Sequence, residues 1–171
     1  GYLPEAVRNF LQLLAYPPVD DEHEVASFDD FVEHFDWAKV NTVGPVFDMS
    51  KLDWLNGHYI RELGDDELGA RIVTHLVVNG QWPVDPDERA VLLVRKATAM
   101  IKPRLVTLAD ALPQIQFLFD RDEDIVIEDD ARAQLTDGAG AVLDAAASAL
   151  TDLDEFSAES IERALRAALV E

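Results

Sequence analysis

Three residues whose side chains can contact nucleic acid, Lys51, Trp54 and His58, are spaced i, i+3 and i+7. At this spacing they share one face of a helix. A lysine beside a tryptophan can pair a phosphate contact with stacking of the indole on a sugar or a base. The alternative interpretation is that Trp54 and Tyr59 are core aromatics.

A second candidate surface for phosphate is the stretch from residue 89 to residue 109, which contains no acidic residue. Because 34 of the 171 residues are acidic, about four acids would be expected there by chance. The stretch therefore predicts a local positive field that attracts a phosphate backbone. The alternative is that Arg95 and Lys96 pair with acids on neighbouring helices. The bases of the stretch are Arg89, Arg95, Lys96, Lys102 and Arg104.

The residue patterns that catalysis requires are missing from the sequence. The chain has no cysteine, which excludes thiol nucleophiles, disulfides and zinc–thiolate sites. No two of its four histidines are spaced i, i+4, as a zinc peptidase helix requires. The glycines at positions 138 and 140 lack the preceding strand, the third glycine and the lysine of a phosphate-binding loop. We therefore expect no catalytic residue, no metal site and no resident cofactor in this chain.

The charge balance restricts the partners. The chain carries 34 acids and 14 bases, and the resulting formal charge of −20 excludes a non-specific polyanion binder. Any nucleic-acid contact must therefore come from a local patch. No apolar run reaches the roughly 20 residues that cross a bilayer, so we expect no membrane partner. The lack of cysteine is compatible with a reducing compartment, and we expect a cytoplasmic location.

The elements that must position the candidate residues are helices. Apolar residues recur at helical spacing along most of the chain, which predicts a mainly α fold of about eight helices with little strand. Ser50 predicts the N-cap of the helix that carries Lys51 and Trp54. A proline directly after Lys102 predicts the end of the basic helix that precedes it.

The pattern changes near residue 64 and predicts a domain boundary there. Aromatic residues and irregular segments precede this point, and regularly spaced apolar positions follow it. We therefore expect a small irregular α-rich domain over residues 1–64. A helical bundle is expected over residues 65–171.

Four segments carry a family resemblance. Lys-Leu-Asp-Trp-Leu-Asn-Gly-His-Tyr-Ile at residues 51–60 closely resembles a signature of bacterial glutamyl-tRNA synthetases, and so does Gly-Tyr-Leu-Pro-Glu-Ala-Val at residues 1–7. Residues 103–110 look like the anticodon-binding helical region of that family, and residues 156–162 look like its next helix. The resemblance covers nearly the whole chain in order.

This resemblance implies a C-terminal fragment of such an enzyme. Residues 1–64 would be the stem-contact domain, and residues 65–171 would be the helical anticodon-binding domain without its last segment. The parent would be a class I aminoacyl-tRNA synthetase, an ATP- and Mg²⁺-dependent ligase that joins glutamate to tRNA. Because the family's HIGH-like and KMSKS-like ATP motifs are absent here, this chain alone is expected to be inactive.

The resemblance implies that two groups of residues contact tRNA. The stem-contact group matches positions against the inside corner of the L-shaped tRNA and consists of Lys51, Trp54, Asn41 and Asn56. The anticodon group consists of Lys102, Arg104 and Arg95.

Lys102 matches the place where the family approaches the last anticodon base. Some members that accept only glutamate tRNA carry an arginine there, and lysine cannot reproduce its planar, two-pronged contact. Glutamine-accepting tRNA therefore joins glutamate-accepting tRNA as an expected partner. The catalytic domain of the same chain is another expected partner. We also expect the protein to be a monomer. The alternative from another class is an acidic helical protein-interaction module without RNA specificity.

Overall fold

Helices make up the regular structure of the residues that the computed structural model describes, 1–18 and 24–168. Within these ranges there are nine α-helices and no β-strand, so the predicted mainly α fold is confirmed. None of these helices is both long and apolar enough to cross a membrane. The α-helices are Pro4–Ala15 (α1), Phe28–His34 (α2), Met49–Glu62 (α3), Asp65–Val78 (α4), Glu88–Ile101 (α5), Ala111–Ile115 (α6), Asp129–Ala133 (α7), Ala139–Thr151 (α8) and Ala158–Ala168 (α9). Short 3-10 turns are formed by Trp37–Lys39, Lys102–Arg104, Leu108–Asp110, Gln116–Leu118 and Asp122–Asp124.

The chain forms two compact units, Gly1–Glu123 and Asp124–Glu171. Packing does not change at residue 64, because the main core of the first unit joins Leu3 and Ile60 to Leu68. The division into a stem-contact region and an anticodon-binding region near residue 64 therefore stays a prediction about function.

Helices α4 and α5 pack against each other in the first unit. Each presents one apolar stripe that repeats every three or four residues, which is the period that places side chains on one helix face. The fully buried members on α4 are Leu68, Ile72 and Leu76. Those on α5, each at most 2% exposed, are Val94, Ala97 and Ile101, and the polar Thr98 is buried beside them with its hydroxyl donating to the carbonyl of Val94 at 2.8 Å.

The two helices approach most closely at Gly69. A Cβ atom there would lie 3.1 Å from Oγ1 of Thr98 and 3.3 Å from Cα of Arg95. We expect Gly69→Val to lower the free energy of unfolding by about 1–3 kcal/mol, because overpacking forces the two backbones apart. The matched control is Gly140→Val in α8, where a Cβ would meet no atom within 4 Å. In urea unfolding, the unfolding free energy of the control should stay within about 0.5 kcal/mol of the parent value. Equal losses in both variants would contradict the close approach of the two helices at Gly69.

An ion-pair cluster joins α1 to α4. The Arg71 guanidinium donates to both carboxylate oxygens of Glu5, at 3.1 and 2.9 Å, and to Oε1 of Glu67 at 2.7 Å. The hydrogen bonds from Arg71 are the main reason why the pKa of Glu5 is below its ordinary value of 4.5. The stabilisation that this pair contributes is therefore present above about pH 4.5 and is lost as the pH falls through the lower pKa of the folded state.

This pair predicts a pH-dependent effect of Arg71→Gln. Near pH 7 the variant should lose about 0.5–1 kcal/mol of unfolding free energy, a small amount because both partners are partly exposed to solvent. As the pH falls below about 4.5 the difference from the parent should shrink, because protonated Glu5 no longer benefits from the arginine. Urea midpoints measured at several pH values check this, and a difference that stays constant down to pH 3 would contradict it.

The second unit is built from α7, α8 and α9, and α8 packs against α9. Helix α8 begins after Gly138, whose φ of +103° lies in the left-handed region that favours glycine. The long helices of this unit are rich in alanine, which permits close packing of helix backbones.

Candidate nucleic-acid interface

Helix α3 carries the main candidate residues, and it is capped by Asp48. The prediction of Ser50 as the cap is wrong, because an Asp48 carboxylate oxygen accepts hydrogen bonds from the N–H groups of Ser50 (2.9 Å) and Lys51 (3.2 Å). Aspartate and serine are both good capping residues, and the carboxylate also interacts favourably with the positive end of the helix dipole. Lys51 therefore lies in the first turn of α3.

Trp54 lies on the outer face of α3. Its side chain is 50% exposed, whereas Leu52 and Leu55 on the inner face are at most 5% exposed. The ring of His58 lies beside the indole, with centroids 6.0 Å apart and planes inclined by 31°. The interpretation of Trp54 as a core aromatic is therefore wrong, and its indole is available for stacking on a flat ligand.

Tyr59, the other aromatic of that alternative, is a packing residue. It is partly buried, and its single hydroxyl proton is shared between two acceptors, Oδ1 of Asn9 at 3.1 Å and the carbonyl of Ala26 at 3.2 Å. Burial is the main reason why its pKa is raised above the ordinary value.

Lys51 projects from the start of α3 toward Glu24. Its Nζ lies 2.7 Å from Oε1 of Glu24, and its side chain is 33% exposed. Both residues line a groove of about 380 Å³, together with Lys39 and Asn41. The groove thus combines two ammonium groups with an amide, which are the donors that contact phosphate and ribose oxygens.

Asn41 is held at this groove by its neighbours. Its N–H donates to the carbonyl of Ala15 at 2.8 Å, and its side-chain oxygen accepts from the N–H of Val43 at 2.9 Å. Its side-chain NH₂ group has no hydrogen-bond acceptor among residues 1–18 and 24–168, so both of its N–H bonds can be donated to a ligand.

Lys39 is a groove residue that the sequence patterns did not single out. It ends the 3-10 turn Trp37–Lys39, and its main-chain N–H donates to the carbonyl of Asp36 at 3.0 Å. It lines the same groove as Lys51 because the segment after α2 returns to the end of α1, where the N–H of Asn41 donates to the carbonyl of Ala15. No local periodicity carries that information.

The structure does not support Asn56 as a tRNA contact. Its side chain is 0% exposed, and both ends of its amide are used inside the protein. The oxygen accepts from the N–H of Leu3 at 2.7 Å, and the NH₂ group donates to the carbonyl of Val106. Asn56 therefore fastens the start of α1 and the segment after α5 to α3.

Lys102, the residue expected at the last anticodon base, is largely engaged by the protein. Its ammonium donates to the carbonyl of Leu63 at 2.5 Å and lies 3.1 Å from Oδ1 of Asp65. Its side chain is only 19% exposed. Lys102 thus ties the end of α3 to the start of α4, and one of its three N–H donors is left for a ligand.

Arg104 and Arg95 are the accessible members of the anticodon group. Both are exposed, and neither makes an ion pair with a described residue. The same holds for Lys96, so the alternative in which Arg95 and Lys96 pair with acids on neighbouring helices is not observed within residues 1–18 and 24–168. The acid-free stretch therefore presents unneutralised charge at the surface.

Helix α3 separates Lys51 from Lys102. The Lys102 ammonium contacts Leu63, which lies twelve residues after Lys51, so Lys51 and Leu63 are about 18 Å apart along the helix axis at about 1.5 Å per residue. The segment that follows Lys102 runs back along α3, since Val106 contacts Asn56. Both groups belong to the first compact unit.

The described residues contain no donor set for a metal ion. No three of their histidine, aspartate and glutamate side chains come close enough together to bind one.

Comparison with known proteins points to one family. The family described as the anticodon binding domain matches residues 62–171. The glutamate–tRNA ligase of Cutibacterium acnes is 45% identical over 99% of this chain and 35% of its own length. The glutamate–tRNA ligase of Acidothermus cellulolyticus is 47% identical over 100% of this chain and 34% of its own length. The chain thus spans about a third of the length of these relatives.

A solved structure shows the same fold. The crystal structure of a glutamate tRNA ligase from Elizabethkingia meningosepticum in complex with its amino acid superposes on 98% of this chain and 32% of its own chain. The TM-score is 0.76 at 25% identity. Since the family match covers nearly two thirds of the chain and the relatives align over its whole length, the chain belongs to the anticodon-binding domain family and matches the C-terminal part of glutamate–tRNA ligases.

Proposed function

We propose that this chain is the tRNA-binding part of a glutamate–tRNA ligase, holding the inner corner of tRNA and contacting its anticodon. The observation that carries the proposal is the half-exposed Trp54 in the same compact unit as a basic stretch whose arginines make no ion pair with any residue of 1–18 or 24–168. In a chain of formal charge −20, this is a local surface suited to nucleic acid.

At the inner corner, Trp54 stacks on a base or ribose, and the groove beside it binds the backbone. Lys51 and Lys39 supply charge for phosphate oxygens, and the Asn41 amide donates to a phosphate or a 2′-hydroxyl. Asn56 supports this surface from within and does not touch the RNA.

At the anticodon, Arg104 and Arg95 contact bases or phosphates, and Lys102 contributes its remaining donor. An ammonium is a point charge that cannot form the two parallel hydrogen bonds of a guanidinium. We therefore include glutamine-accepting tRNA with glutamate-accepting tRNA among the partners.

The chemical step belongs to the catalytic domain of the parent ligase, which would use ATP and Mg²⁺. Within this chain the residues bind and orient tRNA so that its 3′ end reaches that domain. We also propose that the protein is monomeric and cytoplasmic, and that this chain alone lacks ligase activity.

A titration with tRNA tests the proposal against an acidic protein-interaction module. The intact protein should bind in vitro transcribed glutamate-accepting tRNA at least tenfold more tightly than a tRNA for an unrelated amino acid. A module of the alternative class would bind both equally weakly, and that result would overturn the proposal.

The salt dependence of the same titration is a separate prediction. About four neutralised phosphates should give a slope of about −3 to −4 in log K against log salt concentration. Fluorescence titrations between 50 and 300 mM KCl measure the slope. A slope near zero would show that the basic side chains do not contact phosphate.

A further inference from the structure

The ion pair between Lys51 and Glu24 occupies the groove where the proposed function places a phosphate. The two charged atoms are 2.7 Å apart, and the side chains are 33% and 44% exposed. Among the described residues that line the groove, Glu24 is the only acid beside two lysines and an asparagine. Its carboxylate thus has the charge and the position that a phosphate oxygen would take.

Glu24 is held in place by its own main chain. Its carbonyl accepts from Nδ2 of Asn9 at 3.0 Å, and the N–H of Ala26 donates to Oδ1 of Asn9 at 3.2 Å. Asn9 is 2% exposed, and its oxygen also accepts from the Tyr59 hydroxyl. The segment 24–26 is therefore fastened to α1 and α3, so the main chain of Glu24 stays within reach of Lys51 when its side chain is released.

From this arrangement we propose that Glu24 is a built-in competitor for phosphate at Lys51. In the free protein the carboxylate neutralises the ammonium, and on tRNA binding a phosphate displaces it. The inference rests on the proposed function, since it requires that Lys51 contacts tRNA.

The exchange has a definite consequence for selectivity. Because one anion replaces another, the Lys51 contact adds less to the affinity for a polyanion than the contact of an unpaired lysine would. A ligand gains more when it also stacks on Trp54 and reaches the other donors of the groove. Glu24 thus lowers the affinity for RNA in general and leaves recognition to contacts that depend on the shape of the partner.

The test removes the competing charge with Glu24→Gln. Affinity of the intact protein for an in vitro transcribed glutamate-accepting tRNA at low salt should rise three- to tenfold. The slope of log K against log salt should steepen by about 0.7–0.9, the value for one phosphate. The matched control is Glu33→Gln on α2, an exposed acid without an ion pair among the described residues. It changes the net charge equally and should alter the affinity less than 1.5-fold.

A double variant shows whether Glu24 acts through Lys51. In a Lys51→Ala background, Glu24→Gln should no longer raise the affinity. A second substitution, Glu24→Ala, should repeat the gain of Glu24→Gln in the parent, and thermal unfolding should confirm that both variants are folded.

The outcomes separate this inference from the proposed function. If Lys51→Ala alone leaves tRNA affinity unchanged, the role of Lys51 in the proposed function is wrong. If Lys51→Ala weakens binding but Glu24→Gln behaves like Glu33→Gln, only the competitor role is overturned. A fall in affinity on Glu24→Gln would also overturn it, because Glu24 would then position Lys51 for the RNA.

Discussion

Replacing Asn56 with alanine should destabilise the first unit more than any other single change at the interface. The substitution leaves the buried N–H of Leu3 without a partner, which costs about 1–3 kcal/mol, and it also removes the donor to the Val106 carbonyl, a partly buried bond worth about 0.5–1.5 kcal/mol. We expect a loss of about 1.5–4 kcal/mol in unfolding free energy, which corresponds to a fall of about 5–15 °C in Tm at about 3–4 °C per kcal/mol. Thermal unfolding followed by circular dichroism measures it.

Asn41→Ala is the matched control, since it removes the same side chain from an exposed position. It loses one local hydrogen bond, to the N–H of Val43, and should change the unfolding free energy by less than about 0.5 kcal/mol. For tRNA affinity the two variants should rank the other way round, at temperatures where both are folded. Asn41→Ala should weaken binding, whereas Asn56→Ala should leave it within about twofold. A small stability loss at Asn56 would contradict its role as the internal fastening.

Trp54→Ala should give the largest single loss of tRNA affinity. Stacking of one base on an aromatic side chain is worth about 1–3 kcal/mol, which corresponds to a loss of about 5- to 150-fold. Because Trp54 is 50% exposed, the stability of the fold should change little. Equilibrium titrations with glutamate-accepting tRNA, at one fixed salt concentration, measure the effect.

Two further substitutions at this position distinguish stacking from simple packing. Trp54→Phe keeps an aromatic face and should recover most of the affinity, to within about threefold of the parent. Trp54→Leu keeps apolar bulk without a π face and should behave like Trp54→Ala. Equal affinities for the phenylalanine and leucine variants would contradict stacking, and an unchanged affinity in Trp54→Ala would remove this residue from the interface.

Local patterns were sufficient to predict the helical fold and to place Trp54 on a different side of α3 from Leu52 and Leu55, but they left open whether Trp54 is exposed. Apolar spacing separates Trp54 from Leu52 and Leu55, because a helix fixes which residues share a face. The absence of acids from residues 89–109 likewise predicted a basic surface, and Arg95 and Arg104 are exposed there. The cap of α3 was misplaced, because two good capping residues stand two positions apart and local propensity does not choose between them.

Tertiary contacts decide the features that the sequence did not reveal. Asn56 resembles a surface asparagine until α1 and the segment after α5 are packed around it. Glu24 and Lys51 are 27 residues apart, and their contact depends on how Asn9 fixes the segment 24–26. Lys102 is drawn toward Leu63 by the same kind of long-range packing. No spacing rule along the chain encodes these three contacts.

A footprint on bound tRNA, at protein concentrations that saturate each variant, is the most direct test of two separate contact regions on one RNA. The intact protein should protect both the inner corner and the anticodon loop of glutamate-accepting tRNA from hydroxyl radicals. Trp54→Ala should lose protection at the inner corner alone, and Arg104→Ala should lose it at the anticodon alone. Protection that is absent from both regions, or that disappears from both in each variant, would contradict the account.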